Sequence, residues 1–102
     1  MPTLHTVNKS PFERSAFISA LNHLRLGDAL LMIEDGVVGA RKESAFAGLL
    51  EAAAKNCSIF VLGPDFAARG MGEKDLIQGA TLVDYGQFVD LVTKHDRTQA
   101  WL

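Results

Sequence analysis

Residues 28–34 read DALLMIE. Five apolar residues run unbroken between the two acids, with no alternation of polar and apolar positions. Such a run fits a strand buried on both faces, as the inner strands of parallel sheets are. Working outward, CSIFVLG (57–63) reads as a third strand and ATLVDY (80–85) as a fourth, while TLHTVN (3–8) is a short β-rich run before the second. Helix-like segments lie between them. Ser10, Pro11 and Glu13 stand as N-cap, N1 and N3 of a first helix, a capping box with proline where its missing N–H costs nothing. Phe17, Leu21 and Leu24 then share a side, and Gly27 ends the helix. DGVVG turns the chain. A second helix, rich in Ala and Leu, is expected over about 42–55. PDFAAR (64–69) makes a short helix that Gly70 stops, and MGEKDLIQG (71–79) is a loop. The last helix covers about 86–95, with Phe88, Leu91 and Val92 inward, and DRTQAWL is a tail.

Strands alternating with helices of this length predict an α/β domain, a small flavodoxin-like three-layer fold. Its sheet is mostly parallel with about four strands, in one domain over residues 1–102. The strand order does not follow from the sequence.

Composition narrows the function classes. The 102 residues are 48% hydrophobic and 22% charged, as in ordinary globular proteins. No apolar run approaches the roughly 20 residues that span a bilayer. The first ten residues have neither a basic leader nor a signal-length apolar stretch. A soluble, cytoplasmic protein is expected, without a membrane partner. The single cysteine excludes an internal disulfide and a cysteine-based metal cluster. The net charge of −2, with scattered basic residues, disfavours direct nucleic-acid binding. No cofactor is expected: there is no glycine-rich phosphate loop and no G-x-S-x-G elbow.

Ligands of open parallel sheets collect beyond the carboxyl ends of the strands. Asp35, Asp65 and Asp84 would lie there and could hold Mg²⁺ or accept a phosphoryl group. Helix caps and turns use aspartate for the same positions, and no loop lysine directly after the fourth strand completes a phospho-acceptor site. Lys9 and Ser10 could bind an anion at a helix start, although capping explains Ser10 alone. His5, His23 and His95 lack helical metal-ligand spacing. His5 reads as a hydrogen-bonded core or interface residue. Cys57 starts the third strand, at the opposite sheet edge, with no helix N-terminus to activate it. It reads as a packed thiol, the alternative being a persulfide carrier. Trp101 and Leu102 would expose apolar surface unless docked, either on the domain's own sheet or on a partner, where tryptophan is favoured.

Four segments together carry a family likeness: LHTVNKSPFE (4–13), EDGV (34–37), VLGPDFAARG (61–70) and VDYGQFVDLVTKHDRTQAW (83–101). In this order, over almost the whole chain, they resemble the DsrH/TusB family, most closely its DsrH branch. The resemblance implies a non-catalytic subunit of a sulfur-relay heterohexamer, with DsrE/TusD-like and DsrF/TusC-like partners and a downstream sulfur-acceptor protein. Such complexes serve thiolation of the tRNA wobble uridine or dissimilatory sulfur oxidation. The principal sulfur-carrying cysteine is implied on the DsrE/TusD-like partner. Some DsrH-type chains carry a cysteine in the first helix, but here that segment is RSAFISALNHL (14–24) and has none. The resemblance assigns no role to Cys57.

Overall fold

Alternate residues of the second strand enter different cores. The structure, a computed structural model, describes residues 2–102. Strand β2 (Ala29–Met32) is buried at every position. Leu30 and Met32 join a core with Phe17, Leu50 and Phe66. Ala29 and Leu31 join a second core with Leu4, Leu62 and Val83. The unbroken apolar run is thus explained by two-sided burial.

Around β2 lie β1 (Thr3–Val7), β3 (Ser58–Leu62), β4 (Ala80–Val83) and β5 (Arg97–Trp101). All neighbours pair in parallel, in the order β4-β3-β2-β1-β5. The sheet has five strands rather than about four, because the supposed tail is β5, paired with β1 from Thr3↔Arg97 to Val7↔Trp101. Its residues are mostly exposed, so no apolar pattern announces it.

Helix α1 (Ala16–His23) follows β1, α2 (Ala47–Ala53) precedes β3, and α3 (Gly63–Ala68) follows β3. All three pack on the first core. Helix α4 (Tyr85–Lys94) leaves β4 at one edge and returns the chain to β5 at the other. It packs on the second core through Phe88 and Leu91. Right-handed crossovers require this split: stepping one way across the sheet places connections on one face, and the return places its helix on the other.

Several boundaries differ from the sequence reading. Ser10 caps a turn, its hydroxyl accepting from the Phe12 amide at 3.2 Å, and α1 starts only at Ala16. The helix ends at His23, and Gly27, at φ +87°, serves the following turn. Residues 42–46 are not helical. The Lys42 amide donates to the Asp75 carbonyl, and Ser44 Oγ donates to the Gly39 carbonyl and accepts from Phe46. Competing bonds of this kind are why serine resists helix interiors. The turn at residues 35–39 lies in a 3₁₀ segment, Glu34–Ala40. There Gly36 is obligatory, since a Cβ would collide with the Val7 carbonyl. Val92 is 40% exposed rather than inward, alongside Tyr85 and Val89. A single helix on its face of the sheet has no neighbour to cover its flank.

Candidate functional site

The β1–β2 register, Leu4↔Ala29, brings Thr3 beside Asp28, the residue before β2. Asp28 is 4% exposed, and three N–H groups converge on it. Oδ1 accepts from the Thr3 amide at 3.0 Å, and Oδ2 from the Arg25 amide at 3.1 Å. His5 Nε2 lies 3.0 Å from Oδ2. On the other side of the same ring, Trp101 Nε1 lies 3.1 Å from His5 Nδ1. An indole N–H can only donate, so Nδ1 accepts and Nε2 carries the proton toward Asp28. One tautomer satisfies the whole Trp101–His5–Asp28 chain. Burial raises the Asp28 pKa, but the Thr3 and Arg25 amides and His5 outweigh it, leaving the carboxyl below its usual value.

A buried imidazole on a carboxylate has the form of a general base with its orienting group. Here a nucleophile's place is taken by an indole N–H, which occupies the Nδ1 lone pair. His5 is therefore committed as a hydrogen-bonded core residue. The Trp101 ring lies against it, with centroids 6.2 Å apart, and against His23 at 4.9 Å. His23 Nδ1, 2.7 Å from the Ser19 carbonyl, is fixed as a donor. Trp101 thus docks on its own sheet, while Leu102 is 80% exposed.

Cys57 precedes β3 at this amino edge and is half-buried. Its thiol donates to the Arg25 carbonyl at 3.1 Å. Burial pushes its pKa up and the nearby Asp28 carboxylate pushes it further, against a smaller opposing bond from the Asp28 backbone. This is the reverse of thiolate activation.

The three aspartates at the carboxyl edge are each engaged separately. Asp35 Oδ1 receives Arg69 Nη2 at 2.7 Å and Nε at 3.2 Å. Asp65 does not cap α3; its Oδ2 accepts the amide of Glu34 at 2.6 Å, a non-glycine residue held at φ 49°. Asp84 caps α4 in a reciprocal box with Gln87, both bonds 2.8 Å. Among the described residues, no group of three His, Cys, Asp or Glu side chains is arranged to hold a metal.

Two larger clefts are present. One of about 560 Å³ is walled by Phe12, Arg41, Lys42, Glu43, Arg69 and Asp75. The other, of about 480 Å³, lies over the Trp101–His5–Asp28 chain and is rimmed by His23, Arg25 and Arg97. Sequence reading found His5 and Trp101 but missed Asp28 and the two arginines. The signal was an acid heading a fully buried strand, which needs a partner; the partner, 23 residues away, has no local trace.

Five parallel strands with three helices on one face and one on the other define a small, parallel-sheet α/β domain. The ychN protein from E. coli shares the fold, with a TM-score of 0.81 over 98% of this chain and 99% of that one, at 16% identity. A protein of unknown function from Methanobacterium thermoautotrophicum shares it at 0.73, over 91% and 92%, at 15% identity. The chain belongs to the family of DsrH like proteins, whose pattern residues 9–98 match. It is 36% identical to Protein TusB of Pectobacterium parmentieri and 39% identical to Protein TusB of Yersinia pestis (strain Pestoides F), each over 96% of this chain and 99% of the relative.

Proposed function

We propose that this chain is the DsrH/TusB-type subunit of a cytoplasmic sulfur-relay complex, acting as a single domain that forms no covalent bond to the travelling sulfur. The carrying observation is the Cys57 thiol, the only one in the chain, hydrogen-bonded to the Arg25 carbonyl and shifted away from the thiolate. The end-to-end likeness to TusB proteins supplies the setting. In this reading DsrE/TusD-like and DsrF/TusC-like chains complete a heterohexamer, the first carries the persulfide, and a separate acceptor protein takes it onward. The subunit contributes contact area and shapes its partner's cavity. The end use is thiolation of the tRNA wobble uridine or dissimilatory sulfur oxidation. Leu102 is the tail residue assigned to the partner contact, with Trp101 and His5 holding the strand behind it.

The test is co-expression with the DsrE/TusD-like and DsrF/TusC-like chains, followed by transfer of radiolabelled persulfide sulfur with wild-type and Cys57→Ser subunits. Full transfer by the variant complex is expected. Loss of transfer from an intact complex would instead make Cys57 a carrier. Failure of the three chains to co-purify would remove the subunit reading.

A further inference from the structure

We propose that the cleft over Trp101 binds a compact oxyanion of the phosphate or sulfate type. Arg25 and Arg97 stand on its rim, brought together by the pairing of β5 with β1 and the turn before β2. Among the described residues neither guanidinium forms an ion pair within the chain, whereas Arg69 is spent on Asp35. Guanidinium forks match oxyanion geometry, and two of them on one concavity give it a net positive rim.

The interior suits the same ligand. Asp28 is the only acidic side chain in the lining, and its charge is already met by His5 and two backbone amides. His23, whose Nδ1 is fixed on the Ser19 carbonyl, also lines the cleft. The indole forms an apolar wall that strengthens ionic contacts beside it. The 480 Å³ volume admits an oxyanion alone or one carried on a small ring stacked on Trp101. The larger cleft suits an anion less, because Glu43 and Asp75 line it and Arg69 is committed.

The experiment is calorimetric titration of the full chain with inorganic phosphate, at constant ionic strength against a chloride control. Emission of Trp101, the only tryptophan, reports the location. Saturable one-site binding is expected, weakened about tenfold by Arg25→Gln or Arg97→Gln and unchanged by Arg41→Gln in the other cleft. Phenyl phosphate distinguishes the source: tighter binding than phosphate marks an anion carried on a ring, and equal binding marks the free ion. The proposal is overturned if phosphate gives no saturable heat beyond chloride. It is equally overturned if the Arg25→Gln/Arg97→Gln double variant binds like wild type, or if Arg41→Gln removes the binding.

Discussion

Asp28 meets three N–H donors with two oxygens, and that arithmetic decides what its replacement would do. In Asp28→Asn the amide NH₂ must point either at the Thr3 amide or at the Arg25 amide and His5. A switch of the His5 tautomer would relieve only the His5 contact in the second case, leaving the Arg25 amide opposed, and Nδ1–H would then oppose the Trp101 N–H. We expect a loss of about 2–3 kcal/mol, the scale of bonds to a charged acceptor, seen as a lower denaturant midpoint with an unchanged slope. The pH dependence has a fixed sign. The folded pKa of Asp28 is depressed, so its contribution is complete above the unfolded carboxyl value of about 3.9 and is lost as pH falls through the lower folded value. The gap between wild type and Asp28→Asn should therefore narrow below about pH 4. A gap constant down to acid unfolding would show that the charge contributes nothing. At this scale the sequence was half legible. A histidine inside a strand announces a hydrogen bond, but its acceptor depends on how two strands pair.

Elements were legible where burial is strong and obscure where it is weak. β2 and β3 carry their apolar runs openly. β5 does not: Arg97, Thr98 and Gln99 are exposed on an edge, so only backbone pairing makes them a strand. The Ser10-Pro11-Glu13 signature was genuine turn chemistry attached to the wrong helix start. α4 was recognisable from the spacing of Phe88 and Leu91, yet it buries no residue fully. Its amides should exchange with solvent faster than those of β1, β2 and β3 in native-state hydrogen exchange, since weakly packed elements open first. Equal protection would mean that α4 opens only with the whole domain. The tail divides in the same way. Deleting Trp101 and Leu102 removes the indole bond and the last β5 pairing, and should cost the isolated chain about 2–4 kcal/mol. Leu102→Ala touches an exposed side chain and should leave melting unchanged. Any loss of co-purification in Leu102→Ala then measures the partner contact alone, and normal co-purification would withdraw Leu102 from it.

Across the whole molecule, the order β4-β3-β2-β1-β5 sets the first strand beside the last. The α/β class and parallel sheet were legible because five successive apolar residues leave few other solutions; the position of β5 was not, because strand order is fixed by a crossover no local signal records. Removing residues 96–102 should convert β1 from an inner strand to an open edge carrying a half-covered His5. Such a chain is expected to aggregate, with light scattering rising with concentration, because unpaired parallel edges template further pairing. A monodisperse truncated chain would show that β5 is dispensable to the sheet. The same pairing has a meaning for synthesis. The ribosome makes β1 before the other strands, at about 5–20 residues per second. β1 emerges before β5, so its outer edge has no native partner until residues 97–101 have been made. Throughout elongation the nascent chain carries an unpaired edge and a histidine awaiting its indole. A ribosome paused before residues 97–101 would hold a chain with four of its five strands made in its most association-prone form, the form a chaperone would meet.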